Sequence, residues 1–303
     1  MAQQDAQQES VELDEEIQWV RPQRSITWRI WNTWKKKPLG LAGVVVILIL
    51  LVMAGAAPIL TPYGQFEMHA VDRLQGSSST YWLGTDQFGR DMYTRLVYGA
   101  RISLFMGFAA VTLGGITGGI LGTLSAYLGG KFDIILQRFV DMFQAFPSLI
   151  LAMAVVAALG FGVDKCALAI SVPYIPRVTR ITRSQAVSIR EREFIMAAQA
   201  IGATGTRMLF KHMIPNSLAP WLVVITAALG AAIVAEASLS FLGLGVPPPH
   251  PSWGGMLSGN VQQYAESAPH MIIWPGVFLS FAVFGMNLFG DAVRDVMDPR
   301  LRR

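Results

Sequence analysis

Apolar residues in this chain do not alternate with polar ones; they run in long blocks separated by short polar stretches. Six such blocks can be drawn: Leu39–Leu60, Ile102–Leu128, Ile134–Leu159, Cys166–Val187, Leu218–Leu244 and Met271–Phe289. The first is a 22-residue run without a charge, and a membrane-spanning helix needs about 20 such residues. The fourth is short and holds Pro173 and Pro176; prolines are tolerated in spans whose neighbours re-satisfy the freed carbonyls, so it is retained. The pattern predicts an all-α polytopic membrane protein with six transmembrane helices. Composition agrees: 52% of residues are hydrophobic and 15% charged, against about a quarter charged in soluble domains. The first block begins too late and runs too long for a cleaved signal peptide, so it is read as an anchor.

Charge sets the orientation. With the N-terminus inside, nineteen of the 24 Lys and Arg residues fall on the inner side, and only Arg73, Arg90, Arg95, Arg101 and Lys165 fall outside. Such a bias places both termini in the cytoplasm. The basic residues cluster at the ends of apolar blocks, which explains the pI near 9.3 without nucleic acid. Residues 1–38 read as a cytoplasmic tail, disordered over Met1–Glu16, with Trp28, Trp31 and Trp34 on one face of an interfacial helix. Then come the first span at 39–60, an outer segment at 61–101, a five-helix core at 102–291 and a cytoplasmic tail at 292–303. Within the core, residues 188–217 form an inner loop.

Several chemistries are missing. No lysine completes a phosphate-binding loop; Gly129-Gly130-Lys131 is followed by Phe132. The four histidines are scattered over loops on both sides and form no metal set, and one cysteine, Cys166, excludes an internal disulfide. No catalytic grouping can be built, so the chain reads as a non-enzyme. The interior of the blocks is poor in charge. Asp141 and Arg138 sit three apart near the inner end of the third, with the polar Gln144 one turn further, and Glu236 stands alone in the fifth. Intramembrane carboxylates mark a pathway or a packing partner, and for Glu236 both readings stand: it favours a cationic group on a cargo, or it fixes helix packing. Gly114/Gly118, Gly115/Gly119 and Gly118/Gly122 permit close helix approach, within the subunit or against a second one.

The polar stretch Glu193–Asn216 is the exception in a chain of this kind, and a polar island needs a partner in water. Its alanines favour a helix, Gly202 suits a left-handed helix end, Thr204 can cap a second short helix, and Pro215 is expected to end it. Met196, Phe210 and Met213 are the predicted apolar knobs, flanked by Arg190, Arg192, Arg207 and Lys211. Anchors with a basic rim suit a protein groove.

Met196 with Ala197-Ala198, Gly202 and Ile214-Pro215 resembles the EAA loop of ATP-binding-cassette importer permeases, with Glu193 standing slightly before the usual acidic position. Four further stretches resemble the dipeptide/oligopeptide permease family, in its "C" member. They are Trp82–Asp91 with Arg95 and Tyr98–Leu104; Asp141 with Ala145–Ser148; Ala235–Gly245 with Pro251–Gly255; and Asn287–Asp291 with Arg294-Asp295 and Asp298–Arg300. The resemblance implies a type I importer permease fold and a complex with a homologous second permease, two cytoplasmic ATPases and an external solute-binding protein. ATP and Mg would belong to the ATPases, with no cofactor in this chain. Glu193, Met196, Ala197, Ala198, Gly202, Arg207, Ile214 and Pro215 would couple to an ATPase. Glu236, Asp141 and Gln144 are pathway candidates. Asp86, Arg90, Asp91 and Trp253 are candidates for docking the binding protein. Short peptides are the implied cargo, with nickel chelates, glutathione or oligosaccharides as alternatives. A secondary transporter would show several intramembrane carboxylates or a repeat, and a non-transporting scaffold would not need Glu236 or the outer loops.

Overall fold

The computed structural model describes residues 38–258 and 263–297. The tail with its tryptophans and the Asp298–Arg300 motif lie outside the described residues. Among the described residues every extended element is helical, apart from an isolated bridge between Thr85 and Asp91. We number the helices α1 (Pro38–Gly55), α2 (Ala57–Leu60), α3 (Met92–Leu128), α4 (Gly130–Gln144), α5 (Ser148–Leu159), α6 (Val163–Arg190), α7 (Glu193–Ala200), α8 (Gly205–Arg207), α9 (Ile214–Phe241), α10 (Trp253–Leu257) and α11 (His270–Met297). A π-helical turn, Met208–Met213, joins α8 to α9.

Helix α3 is the axis of the fold, and its glycines explain why. A Cβ on Gly114, Gly118 or Gly122 would meet the Ser171, Ile175 or Thr179 carbonyl oxygen of α6 at 2.8, 2.6 and 2.5 Å. The four-residue spacing on both helices lets the backbones touch along two turns. Gly107, Gly115 and Gly119 turn instead to α9, under Ile233, Ile225 and Trp221, and the Trp221 indole donates to the Gly115 carbonyl at 2.8 Å. The small-residue pairs are therefore spent inside this chain. A core of Leu50, Leu96, Leu104, Ile233, Met271 and Met286 closes α1, α3, α9 and α11 together.

The helices differ from the apolar blocks in instructive ways. α3 begins ten residues before Ile102, because the Asp91 carboxylate caps it by accepting from the Thr94 backbone N–H at 2.8 Å. The third block is two helices, α4 and α5, bent by 94° at Pro147, whose ring and missing N–H break helical continuity. α6 runs unbroken for 28 residues through Pro173 and Pro176. α11 extends to Met297, well past Phe289. Among the described residues, four helices are by length and composition apolar enough to cross a membrane, or five if the bent pair counts as one. α6 is long enough, about 42 Å at 1.5 Å per residue, but it carries Arg177, Arg180 and Arg183.

Candidate functional site

The inner polar stretch folds as the sequence predicts at its centre and differently at its ends. α7 ends at Gly202, whose φ of +78° is the left-handed turn that glycine adopts without strain. Thr204 caps the next helix by accepting from the Arg207 backbone N–H. Pro215 does not stop that helix. It occupies the first turn of α9, where a missing N–H costs little, and the widened π turn just upstream absorbs the irregularity. There the Asn216 side chain donates to the His212 carbonyl at 2.7 Å, and the Ser217 hydroxyl donates to the Met213 carbonyl at 2.9 Å.

Two faces of this unit have opposite fates. Ile195, Ala198, Met208 and Met213 are buried against Ala126 of α3 and Ala186 and Ile189 of α6. The Arg190 guanidinium clamps the junction by donating to the Ala126 carbonyl at 2.8 Å. Met213 is thus a seat and not a knob, which corrects the expectation. The other face holds Met196 (53% exposed), Ile201 (87%) and Phe210 (64%), with Phe194 beside them. Glu193, Ala197, Arg192, Arg207, Lys211 and Pro215 are also exposed, and Ile214 is half-buried. The result is an apolar patch with a basic rim, fixed to the inner ends of α3 and α6. Periodicity could not have told Ile201 from its neighbours: it becomes a knob because the turn at Gly202 turns it outward.

The four docking candidates are internal. Asp86, Arg90, Asp91 and Trp253 are all buried, so none is open to a partner. The Arg90 Nε–H donates to Asp86 at 2.6 Å and Arg95 approaches the same carboxylate oxygen at 3.4 Å. The other Asp86 oxygen accepts from the Phe88 and Arg90 backbone N–H groups at 2.8 and 3.0 Å. Burial, together with the Asp72 carboxylate that it donates to, pushes the Tyr81 phenol up to about 12. The Trp253 indole donates to the Leu96 carbonyl at 3.0 Å. These groups knit the outer segment to the head of α3; Trp82, Val71, Met68, Phe88 and Phe66 are apolar side chains that the segment exposes.

The pathway candidates separate. Glu236 is fully buried; its Oε1 accepts from the Ser240 hydroxyl at 2.7 Å, and the Ser103 and Ser252 side chains stand beside the carboxyl group. Ser103 also accepts from the Trp253 backbone N–H at 3.2 Å, so Glu236 belongs to the joint between α3, α9 and α10. Asp141 is exposed but paired with Arg180 of α6, and Asp133 is paired with Arg183. Gln144 is exposed at the last turn of α4. Sequence reasoning passed over a half-open cavity of about 300 Å³ lined by α5, α6 and α9, with the exposed Arg177 in its lining. The signal was there, as Ile170, Pro173, Tyr174 and Arg177 share one helical face, but Arg177 was counted only as an inner positive charge.

Residues 114–303 match the family described as binding-protein-dependent transport system inner membrane component, and residues 25–76 match the N-terminal TM domain of oligopeptide transport permease C. The chain is 44% identical to a dipeptide transport system permease protein of Alkalihalophilus pseudofirmus, over 91% of this chain and 90% of that one. It is 37% identical to a glutathione transport system permease protein of Pectobacterium atrosepticum, covering 91% and 92%. An oligopeptide transport system permease protein of Bacillus subtilis is 35% identical, covering 89% and 88%. The fold is similar to a chain of the MetNI methionine ABC transporter in an inward-facing conformation, at a TM-score of 0.56 and 22% identity, covering 68% of this chain and 97% of that one. The fold is therefore that of a type I ABC importer permease, and the chain belongs to the inner membrane components of binding-protein-dependent transport systems.

Proposed function

We propose that this chain is one of two permease subunits of an ATP-driven importer of short peptides, coupled to a cytoplasmic ATPase through Glu193–Asn216. The observation that carries the coupling is the patch of Phe194 and Met196 on α7, Ile201 in the turn after it and Phe210 in the π turn, exposed on a unit that is itself seated on α3 and α6 through Ile195, Ala198 and Met213. Exposed apolar anchors rimmed by arginine and lysine suit a groove on another protein. The seat makes the patch a handle, since a pull on α7 is a pull on two long helices. Only a partner that grips the two end states differently can shift the balance between them. In this reading the chain spans the membrane six times, α4 and α5 together counting once, with both termini in the cytoplasm of a cytoplasmic membrane. It is not itself a catalyst; ATP and Mg belong to the ATPase subunits.

The peptide assignment rests on the dipeptide and oligopeptide relatives. The glutathione relative favours a second cargo on the same architecture. Competition between a dipeptide and glutathione for uptake by the reconstituted complex separates the two.

The coupling is tested at Gly202. Proline cannot adopt its φ of +78°, so Gly202→Pro should reorient α7 while leaving the complex inserted. The expected outcome is ATP hydrolysis that continues, with peptide uptake falling by tenfold or more in reconstituted vesicles. Uptake at the wild-type rate would falsify the assignment.

A further inference from the structure

Three arginines follow one another at three-residue spacing on α6: Arg177, Arg180 and Arg183. α4 supplies an acid for two of them, Asp141 to Arg180 and Asp133 to Arg183. Among the described residues Arg177 has no acidic partner. It stands at the midpoint of the 28-residue α6 with its side chain exposed, so its charge is open to an anionic group from outside the chain. Arg177 lines the cavity of about 300 Å³ between α5, α6 and α9, together with Tyr174, Ser148, Leu149, Val234 and Ser238. That volume is at the small end of the range for small-molecule sites.

A second, independent positive feature meets the same space. The sharp bend after α4 starts α5 afresh at Ser148, and Ser148 and Leu149, its first two residues, line the cavity. No side chain caps this end of the 12-residue helix, so its first N–H groups and the positive end of its dipole have no partner within the helix. Broken helices in transporters place such ends against anionic cargo groups. A planar guanidinium matches a carboxylate with two parallel hydrogen bonds. The apolar wall, with Leu149 on one side and Val234 on the other, suits a short aliphatic body.

We propose that this cavity is a cargo subsite, in which the Arg177 guanidinium and the N-terminus of α5 hold the carboxylate of the translocated molecule. The inference rests on the peptide-import reading and specifies the end of the peptide that is held: its C-terminal carboxylate.

Thiol protection in the assembled complex tests it. Cys166, the chain's one native cysteine, is buried, so Ser238→Cys introduces the reactive thiol on the cavity wall. Maleimide labelling of this chain is followed with alanyl-alanine or alanyl-alanine amide present. The acid should slow labelling about threefold or more and the amide should not, and adding Arg177→Gln should erase the difference. Equal protection by both compounds, protection by neither, or a difference that survives Arg177→Gln would overturn the subsite. Should Arg177→Gln fail to assemble, the comparison of acid with amide in the Ser238→Cys complex still decides. Uptake of alanyl-alanine by the wild-type complex is measured alongside. Absent uptake counts against the peptide reading, whereas uptake without acid-selective protection counts against the subsite alone.

Discussion

Asp86 and Arg90 face each other at 2.6 Å with both side chains buried. The outer segment therefore turns its charges inward. Arg95 shares the same carboxylate at 3.4 Å and reaches the Gln65 and Pro249 carbonyls at 3.5 and 3.4 Å, which ties two outer loops to one helix head. Removing the acid leaves two cations buried without their counter-ion, a loss of about 3–5 kcal/mol for a broken buried pair. Asp86→Ala should lower the thermal stability of the purified complex by that order. Trp82→Ala, on the exposed face of the same segment, should leave stability within about 0.5 kcal/mol, the usual range for surface changes, and weaken capture of the binding protein. If Asp86→Ala proved as stable as wild type, the pair would not be holding the segment.

The contact between α3 and α6 predicts a size limit. A Cβ on Gly118 would lie 2.6 Å from the Ile175 carbonyl oxygen, which is backbone and cannot rotate away. Gly118→Ala should cost about 1–3 kcal/mol, as overpacking does. Gly276, also helical, has nothing within 4 Å of its Cβ position, so Gly276→Ala should be neutral or slightly stabilising through helix propensity alone. Thermal unfolding of the two variants in one detergent compares them directly. Equal stabilities would mean that the helices can part at no cost.

Sequence made some of this legible and hid the rest for physical reasons. Gly202 and Thr204 could be read because each serves a local backbone need: a left-handed turn and an N-cap. Met213 and Phe210 could not be told apart, because both are apolar and three residues apart; a π turn shifts the helical face between them. Asp86, Arg90 and Asp91 look like a docking surface in a sequence, where charge in a loop suggests water. Three-dimensional pairing reverses that reading. The bend at Pro147 is visible as a proline, but Pro173 and Pro176 bend nothing comparable, so the residue alone does not announce its effect. Arg177 became conspicuous only once its neighbours were seen to have taken the acids.

The separation of knobs from seats makes a paired prediction. Phe210 is largely exposed and Met213 fully buried. Met213→Ala should cost about 2–5 kcal/mol, the range for emptying a core position, and should loosen α7 from α3. Phe210→Ala should leave unfolding within about 0.5 kcal/mol of wild type while reducing the ATPase subunit retained on affinity-captured complex. Loss of stability in Phe210→Ala with normal ATPase retention would reverse the assignment of the two faces.

Glu236 offers the last discrimination. Its carboxyl group is enclosed by the Ser240, Ser103 and Ser252 side chains, and the Ser240 hydroxyl needs only an oxygen acceptor at Oε1. Glutamine supplies one in the same place. Glu236→Gln should therefore keep uptake within about twofold of wild type, and equally for a peptide with a free amino terminus and for its N-acetylated counterpart. Glu236→Leu, which removes the acceptor and leaves buried hydroxyls to find new partners, should cost about 1–3 kcal/mol of stability. Parallel uptake and unfolding measurements on the two variants read both effects. A loss in Glu236→Gln confined to the free-amine peptide would mean that the carboxylate meets the cargo, and that the joint between α3, α9 and α10 opens during transport.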